Sequence, residues 1–581
     1  MPSLSTIMLR GKRYRRLCLL ALFFLSAFIL SSFRLTQLSN GRSNVVLQSL
    51  FEKQREENAS GSKISEDKCN EYFRSLASLD SGWDIRSFGH KHTSYFSRRH
   101  VQESVRHMRV FGQCFIQNSS PNGDPNLKEV ENKLFPLFTL VFPTFTRWDG
   151  LIVEGFPWAD EATSIERPAV SHELFWRQIT DKMNGRGIVM SVGEGGGVSE
   201  AKRLLRVLRA LQNNLPIQIV HKGDLSDISV QGLVKAGRDP TRIEVADTSY
   251  ELGHPQEIWF VDAEKSVKPE FAHLFTRYSN KWIASLFNSF EEMIFLDTDA
   301  VLFEKPSSFF TIDGYQETGA FFFRDRLIDE YINRGDLNYY KKLLPSKIEA
   351  HVFNLETGED MMRQNDVFQF RFKHVVEAGV FILKRRTHMP GLLISTALNL
   401  WKETNEVFHG DKELFWLGQS IAGTSRYQFN KNPAGALGSL TRNKEKNITY
   451  TCSAQPGHFD ENHKLLWLNG GARYCKWQSW DYDLSKHKSL RKSYKSAKNL
   501  RKLYASPIEA NGAIIPARSN LSLLQKLLGT KSGFQKCEEM GCAGYLWCAY
   551  SRADHSAGLT LEFSQEENNY FKFIVNVWNS E

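Results

Sequence analysis

The stretch MIFLDTDAVLF, residues 293–303, sets two carboxylates between two apolar runs. An apolar run of this length predicts a buried strand. Because alternate side chains of a strand point to the same face, Asp297 and Asp299 are expected to project together from the strand end. Carboxylates this close repel each other unless a cation lies between them, and a hard divalent ion suits them. The stretch therefore predicts a site for a metal and a diphosphate, although a strand end followed by a polar turn would give the same pattern.

The chain before this strand alternates between strand and helix signals. Residues 188–192 and 217–220 predict strands, the glycine-rich residues 193–197 predict a turn, and leucines at helical spacing follow that turn. A further helix is predicted at roughly 270–289, ahead of the strand that ends at Asp297. This order predicts an α/β fold with a mostly parallel central sheet, whose ligands bind at the carboxyl ends of the strands.

The turn GEGGG at 193–197 would let a nucleotide approach the backbone closely, which makes Gly193 a candidate donor-binding residue. A dinucleotide-binding fold is rejected, because G-x-G-x-x-G requires glycine where Val198 stands and no ribose-binding acid directly ends the second strand. A glycine-rich turn without a ligand is the alternative.

The N-terminus carries a targeting signal. Residues 17–33 are uncharged and apolar, about 26 Å long as a helix, and follow five basic residues: Arg10, Lys12, Arg13, Arg15 and Arg16. The positive-inside rule then predicts a cytosolic tail at 1–16, a single-pass type II signal anchor at 17–33 and a luminal body. A cleaved signal peptide is the alternative. Residues 34–116 are expected to form a stem and neck, flexible up to about residue 68, and 130–581 the main domain.

Cysteines and glycosylation sequons agree with a luminal body. Of eight cysteines, Cys18 lies in the apolar run, and the others follow it: Cys69, Cys114, Cys452, Cys475, Cys537, Cys542 and Cys548. An odd number implies that at least one stays outside intrachain disulfides or bonds another chain, so an oligomer held by a disulfide or by non-covalent contacts is one outcome. Disulfides are favoured over zinc, since the last three lack C-x-x-C spacing. Four sequons predict glycosylation: Asn58, Asn118, Asn447 and Asn520.

Composition excludes some classes of protein. The chain has 581 residues, 41% of them hydrophobic, which is enough for one large or two smaller domains. The net charge is +9, and five positive charges precede the apolar run. The luminal part is therefore only slightly basic, which argues against nucleic acid as a partner.

A carboxylate interrupts the apolar run at 375–383. Glu377 is its only charged residue, and burying a carboxylate is costly unless it is paired or used. Gly379 allows another backbone or a ligand to come close. A functional acid is one interpretation, and a core ion pair with an arginine such as Arg371 is the other.

Two more carboxylates open the segment GDKELFWLG at 410–418. Asp411 and Glu413 stand two residues apart, ahead of Trp416. Carboxylates bind sugar hydroxyls by charge-assisted hydrogen bonds, and tryptophan rings cover sugar faces. The alternatives are a capped helix start and plain core packing of Trp416.

A histidine near Cys452 is a candidate third ligand for the ion. His458 lies in the segment QPGHFD, and a neutral imidazole could complete the coordination begun by the two aspartates. His463 competes for that role.

These segments occur together in a recognisable order. The anchor, the stem and the segments GIVMSVGEGG, LPIQIVHKGDLS, KWIASLFNSFEEMIFLDTDAVLF, EAGVFILKR, GDKELFWLG and LWLNGG resemble the fungal Golgi alpha-1,3-mannosyltransferases, which extend protein-linked mannose chains. The resemblance covers about residues 185–475. It implies a GT-A-like nucleotide-sugar-binding fold, a GDP-mannose donor, a manganese ion (Mn²⁺), a mannosylated glycoprotein acceptor and a Golgi membrane location with the catalytic domain in the lumen.

The resemblance also implies roles on the donor side. Asp297 and Asp299 match the D-x-D motif and would hold the metal and the donor diphosphate. Lys281 matches a basic position on the preceding helix and would steady the phosphates. His458 stands where related folds have a late metal-ligand histidine. Residues 194–197 depart from the usual sequence after the first strand, which weakens any prediction of base contacts there.

Roles on the sugar side follow from the same resemblance. Glu377 would lie near the acceptor or the reacting sugar, and Asp411 and Glu413 would bind mannose and acceptor hydroxyls. An alpha-linked donor and product imply retention, either through a covalent intermediate on Glu377 or Asp411 or by attack on the departing face. Two other functions stay open: a Golgi glycosyltransferase that uses another nucleotide sugar, such as UDP-galactose, and a non-catalytic luminal glycan-binding protein of the same fold.

Overall fold

The computed structural model describes residues 42–60, 67–88, 95–118, 126–153, 155–157, 174–245, 248–363, 365–518, 531–537, 541–552 and 557–580. The predicted tail at 1–16, the predicted anchor at 17–33 and the sequon at Asn520 lie outside these residues. Within them, no helix combines the length and the apolar character needed to span a membrane.

The described strands are numbered along the chain as follows: β1 Thr144–Arg147, β2 Ile152–Val153, β3 Arg186–Ser191, β4 Ile217–His221, β5 Arg242–Val245, β6 Thr248–Glu251, β7 Ile258–Asp262, β8 Glu292–Leu296, β9 Val301–Leu302, β10 Ala320–Arg324, β11 Val376–Lys384, β12 Gln428–Phe429, β13 Gly435–Gly438, β14 Thr441–Asn443, β15 Ile448–Ser453, β16 Pro456–Phe459, β17 Leu465–Leu468, β18 Gly512–Pro516, β19 Gly533–Lys536, β20 Trp547–Arg552 and β21 Gly558–Glu562.

The described α-helices are numbered in the same way: α1 Arg42–Ser60, α2 Lys68–Leu79, α3 Tyr95–Phe111, α4 Leu127–Leu134, α5 Phe175–Lys182, α6 Gly196–Ala210, α7 Asp227–Arg238, α8 Asn280–Leu286, α9 Asp313–Thr318, α10 Arg334–Leu343, α11 Lys347–Phe353, α12 Gly358–Arg363, α13 Asp366–Phe370, α14 Arg385–Leu400, α15 Lys402–Asn405, α16 Leu414–Ala422, α17 Trp480–Lys486, α18 Lys488–Tyr494, α19 Ala497–Ala505 and α20 Gln565–Asn579.

A nine-stranded sheet forms the centre of the fold, in the order β12-β10-β11-β8-β3-β4-β7-β1-β2. The four strands β8, β3, β4 and β7 run parallel to one another, as predicted. The flanking pairs β11/β8, β10/β11, β1/β7 and β1/β2 are antiparallel. The edge pair β10/β12 is parallel again. The expectation of a mostly parallel sheet is therefore right for the four central strands and wrong for the four antiparallel pairs, and the fold is a mixed α/β fold.

Side chains of the central strands pack into two hydrophobic cores, one on each face of the sheet. Phe295 of β8 belongs to one core, and its neighbour Ile294 belongs to the other. Alternation along a strand buried on both faces gives this division. On the second face α6 packs with Leu204 and Leu208, which are separated by one helical turn.

The helix predicted at roughly 270–289 is broken. Two short 3₁₀ segments, Pro269–Leu274 and Arg277–Ser279, precede the regular helix α8. Pro269 begins the first segment, because proline suits the first turn of a helix. Arg277 has a positive φ of 51°, which separates the segments.

The N-terminal helices differ from the flexible stem that we predicted for residues 34 to about 68. In α1, the side chains of Val46, Leu47 and Leu50 are buried in the same core as Phe295. These residues are spaced for one face of a helix, and that pattern outweighs the polar composition around them. The described part of the predicted stem and neck thus packs on the main domain, and a disulfide joins Cys69 to Cys114.

A second, antiparallel sheet brings the C-terminal part of the chain to the end of β8. Its strand order is β21-β18-β13-β16-β17-β9, and β9 begins directly after the Asp-Thr-Asp turn. Disulfides Cys452–Cys548 and Cys475–Cys542 stabilise this region, and Cys537 takes no part in either. The prediction of disulfides rather than zinc is confirmed for Cys542 and Cys548, whose partners the sequence did not predict. The chain that follows β17 is consequently held beside the two aspartates.

Candidate functional site

Asp297, Thr298 and Asp299 form a turn between two sheets. Strand β8 ends at Leu296, and the Ala300 amide donates to the Asp297 carbonyl over 3.0 Å. The two acids therefore lie in a turn just beyond the strand, and strand alternation is not what sets their directions. Each carboxylate instead pairs with its own lysine. The Asp297 amide donates to the Gly379 carbonyl over 2.8 Å, which fixes the turn against β11.

Lys281 of α8 joins three of the predicted site residues. Its buried ammonium lies 2.8 Å from Asp297 and 2.9 Å from Asp411, and it donates to the Ala378 carbonyl over 3.2 Å. Burial opposes the charge of Lys281, but the two carboxylates hold its pKa above the ordinary value. Burial raises the pKa of Asp297 to about 7, against the lowering effect of Lys281. Lys281 thus joins the D-x-D motif to Asp411, and its contact with the donor phosphates stays a prediction.

Asp299 is paired with a residue that we had not predicted, Lys476. Lys476 lies in the loop that follows β17 and forms an ion pair with the Asp299 carboxylate. The Gly471 amide of the same loop donates to the Asp299 carbonyl over 2.7 Å. Burial opposes the charge of Lys476, and Asp299 raises its pKa. Thr298 donates to Glu200 over 3.0 Å, and burial followed by the charge of Asp299 raises the pKa of Glu200.

Asn469 is a second residue of that loop which sequence reasoning missed. Its side-chain oxygen Oδ1 is buried and has no hydrogen-bond partner among the described residues. A Cβ built on Gly379 would lie 3.2 Å from this oxygen and 3.0 Å from the Trp467 ring. The glycine therefore lets Asn469 lie against β11 at the residue whose carbonyl holds Asp297. Asp297, Asp299 and Asn469 are the oxygen donors that a hard divalent ion would find here. The segment LWLNGG was the available sequence signal.

His458 does not join them. It is fully buried, its ring stacks on Trp467 at 3.9 Å, and burial lowers its pKa to about 3. Among the described residues, no cluster of ligand atoms within 4.8 Å combines His458 with the two aspartates. The prediction of His458 as a metal ligand is therefore wrong: the ring fills the core between β16 and β17. His463, the competing candidate, is exposed in the turn that joins those two strands.

Glu377 forms a buried ion pair, but its partner is not Arg371. Lys412 lies 2.7 Å from Glu377 and 2.9 Å from Asp325, so one ammonium serves two buried carboxylates. Although burial opposes its charge, the two acids raise the pKa of Lys412. Lys412 follows Asp411 in the chain, so Asp411 and Glu377 belong to neighbouring parts of one charged cluster. Asp325 and Lys412 were both missed, because nothing in the sequence links them.

The Glu413 carboxylate is buried and accepts hydrogen bonds from groups of the protein itself. Its carboxylate accepts the Val375 amide at 2.8 Å, the Val376 amide at 3.1 Å and the Trp416 indole at 2.7 Å. Burial raises the pKa of Glu413 to about 7. Three protein donors occupy the oxygens that we had assigned to sugar hydroxyls, so that assignment is wrong and Glu413 positions the start of β11. Trp416 is buried in the core.

Gly193 lies at the carboxyl ends of β3 and β4, as predicted for a nucleotide contact. A Cβ on Gly193 would lie 3.0 Å from the Asp224 carboxylate. Glu194 accepts the Ser226 amide at 2.9 Å and the Ser229 hydroxyl at 2.7 Å, which ties the glycine turn to the start of α7. A small cavity beside this turn is lined in part by Asp224 and Asn280. The Oδ1 of Asn280 is buried without a partner in the described part of the chain.

The described sequons lie in different surroundings. Asn118 is exposed just after a π-helical turn, and Asn447 is exposed in the turn between β14 and β15. Asn58 lies in α1. Glycosylation at these positions stays a prediction.

Comparison with known proteins gives concordant results. Residues 185–460 match the family model described as "Mannosyltransferase putative". The chain is 30% identical to "Putative alpha-1,3-mannosyltransferase MNN14" of Candida albicans, over 82% of this chain and 73% of that protein. It is also 30% identical to "Alpha-1,3-mannosyltransferase MNT2" of Saccharomyces cerevisiae, over 83% of this chain and 87% of that protein.

Coverage of other relatives is lower. The chain spans 63% of the length of the Candida albicans protein MNN1, to which it is 30% identical. Among solved structures, a galactosyltransferase with donor and acceptor sugar analogues matches 42% of this chain and 73% of its own, at 12% identity and a TM-score of 0.26.

Proposed function

The chain belongs to the family of fungal alpha-1,3-mannosyltransferases, and from this membership we propose that it transfers mannose from GDP-mannose to a terminal mannose of protein-linked glycans, forming alpha-1,3 linkages. One observation carries the assignment of the site. Asp297 and Asp299 each pair with a lysine where two sheets meet, and a third oxygen, from Asn469, is left without a partner beside them.

We assign the donor diphosphate to this turn. The oxygens of Asp297, Asp299 and Asn469 suit a divalent cation such as Mn²⁺, which when bound would neutralise charge on the diphosphate. The cation would replace Lys281 as the partner of Asp297 and Lys476 as the partner of Asp299. Both ammonium groups would then be available to phosphate oxygens, with Lys281 still paired to Asp411. Ammonium groups in a buried site stabilise the negative charge that develops on a departing diphosphate.

We place the nucleoside at the carboxyl ends of β3 and β4, where open α/β sheets bind ligands. Asp224 and the unpartnered Oδ1 of Asn280 are hydrogen-bond acceptors, and both line the small cavity beside Gly193. Guanine presents N–H donors at N1 and N2 that match two acceptors. These residues therefore favour GDP-mannose over donors with other bases, and the arrangement as a whole supports a GT-A-like assignment of the fold.

The reacting sugar would meet Asp411 and Glu377. Asp411 shares Lys281 with Asp297, which places it next to the diphosphate site. Glu377 shares Lys412 with Asp325 and lies two residues before Gly379, the residue that holds the Asp297 amide. Carboxylates accept hydrogen bonds from sugar hydroxyls and stabilise positive charge on an oxocarbenium-like carbon. We therefore propose these two acids, and not Glu413, as the residues that contact mannose.

The setting that we propose is the Golgi lumen, with residues 17–33 as the anchor. The disulfides Cys69–Cys114, Cys452–Cys548 and Cys475–Cys542 support an oxidising compartment. Acceptors there would be mannosylated glycoproteins.

The decisive experiment uses the full chain, solubilised in detergent, with Mn²⁺, defined mannose oligomers and either GDP-mannose or UDP-galactose. We expect mannose transfer from GDP-mannose only, with an alpha-1,3 linkage in the product. Transfer from UDP-galactose would identify the alternative glycosyltransferase. Absence of transfer from either donor, with retained binding of mannose oligomers, would identify a glycan-binding protein.

A further inference from the structure

A second cluster of metal-ligand side chains lies outside the donor site. Glu330, His374 and His409 each offer one ligand atom, and these atoms lie within 4.8 Å of one another. The Nε2 atoms of both histidines approach the same Glu330 carboxylate oxygen, at 3.1 Å for His374 and 3.2 Å for His409. The two imidazole rings stack with their centres 4.8 Å apart and 15° between their planes.

His374 has a carboxylate on each side of its ring. Its Nδ1 lies 3.9 Å from the buried carboxylate of Asp325, and its Nε2 faces Glu330. A neutral imidazole carries one N–H, so it can donate to only one of these acids. Only the Nε2 contact with Glu330 is within hydrogen-bond distance, and the Nδ1 contact with Asp325 is at ion-pair distance.

We propose that Glu330, His374 and His409 form a binding site for a transition-metal ion of the Zn²⁺ class, with Asp325 as the carboxylate that orients His374. Two imidazoles and a carboxylate are a ligand set that Zn²⁺ uses, with the remaining position open to water. Metal-bound histidines commonly have a carboxylate near the second ring nitrogen, which fixes the tautomer. The site does not depend on the donor metal, because it shares no ligand with the Asp-Thr-Asp turn.

The ion would fix the sugar side of the donor site. Glu330 lies in the loop after β10, His374 lies just before β11, and His409 precedes Gly410 and Asp411. Gly410 has a positive φ of 68°, so this loop turns sharply immediately before Asp411. A metal bound to both His409 and His374 would fix the position of Asp411 relative to the start of β11. The metal site would thus restrain the loop that contains Asp411, one of the two acids proposed to contact mannose.

The test uses the full chain with Asp297→Asn, which removes a donor-site ligand, after treatment with a chelator. Zn²⁺ alone is titrated by calorimetry, without donor, acceptor or Mn²⁺. We expect one Zn²⁺ per chain, and affinity at least about 10-fold lower after His409→Gln or His374→Gln. His254→Gln is the matched control, since His254 is an exposed histidine elsewhere on the surface. His409 is itself exposed, so its replacement leaves the core intact.

Hydrogen exchange gives a second readout. Zn²⁺ should slow amide exchange in residues 405–412 of the Asp297→Asn chain, and this protection should be absent after His409→Gln. Equal Zn²⁺ affinity with and without His409, or no binding to either, would overturn the inference and leave a metal-free hydrogen-bonded cluster. Because these measurements use a chain without a complete donor site, neither result bears on mannose transfer.

Discussion

Lys476 neutralises Asp299 across the interface of the two sheets, although the two residues are far apart in sequence. Lys281 does the same for Asp297. The acids of the Asp-Thr-Asp turn are therefore compensated by ammonium groups. Removing one member of a buried ion pair leaves an uncompensated charge, so both lysines also stabilise the turn. When a divalent cation binds the two carboxylates, the ammonium groups of Lys281 and Lys476 are positioned to contact phosphate oxygens.

Asp297→Asn and Asp299→Asn should abolish transfer and leave the fold intact. We expect kcat/KM for GDP-mannose to fall at least about 100-fold, because the charge that holds the diphosphate is lost. Activity assays and far-UV circular dichroism check both parts of the prediction. Asp313→Asn, at the exposed start of α9, is the control and should behave as wild type. Full activity in either site variant would remove the turn from the mechanism.

Asn469, and not His458, should determine the affinity for Mn²⁺. Asn469→Leu removes the unpartnered oxygen beside the aspartates and should weaken Mn²⁺ binding about 10-fold or more, whereas Asn469→Asp should retain it. Electron paramagnetic resonance of free Mn²⁺ measures the affinity without reference to activity. His458→Phe keeps the stack on Trp467 and should leave Mn²⁺ affinity unchanged. The reverse pattern would restore His458 as the ligand.

The sequence predicted the parallel centre of the sheet because β3, β4 and β8 are apolar runs bounded by turn signals. It failed for α1, where buried residues such as Val46 and Leu50 are outnumbered by polar ones. It also considered only histidines, His458 and His463, for the third ligand and did not consider Asn469, because histidine is the more usual metal ligand. The choice is made by tertiary structure: the β16/β17 hairpin turns His458 into the core, and Gly379 admits Asn469 to the site. No local pattern contains that information.

Lys412 should matter for stability far more than an exposed lysine in an ion pair. Lys412→Met removes the ammonium that the two buried carboxylates Asp325 and Glu377 share, and we expect a loss of about 3–5 kcal/mol in the free energy of unfolding. Lys431→Met breaks an exposed pair with Glu461 and should cost less than about 1 kcal/mol. Urea denaturation of both variants makes the comparison. Equal losses would show that the buried acids do not depend on Lys412.

Glu131 should make stability depend on pH in a defined direction. Its carboxylate is buried and accepts the amides of Phe175 and Trp176, each at 3.0 Å, and burial raises its pKa from 4.5 to about 7. Between these two values the folded chain holds a proton on Glu131 that the unfolded chain has released. The contribution of Glu131 to stability is therefore present below about pH 4.5 and is lost as the pH rises to about 7, by up to about 3 kcal/mol.

Buried histidines oppose this trend, so the effect must be isolated by difference. Burial lowers the pKa of His107 to about 3 and of His388 to about 4, and such groups increase stability as the pH rises toward 6.5. Glu131→Gln keeps the shape of the side chain and cannot titrate. The difference in unfolding free energy between wild type and this variant should therefore shift against wild type from pH 4.5 to pH 7, measured by urea denaturation at each pH. A difference that stays constant across this range would mean that Glu131 is ionised in the folded chain throughout, held so by the two amides that donate to it.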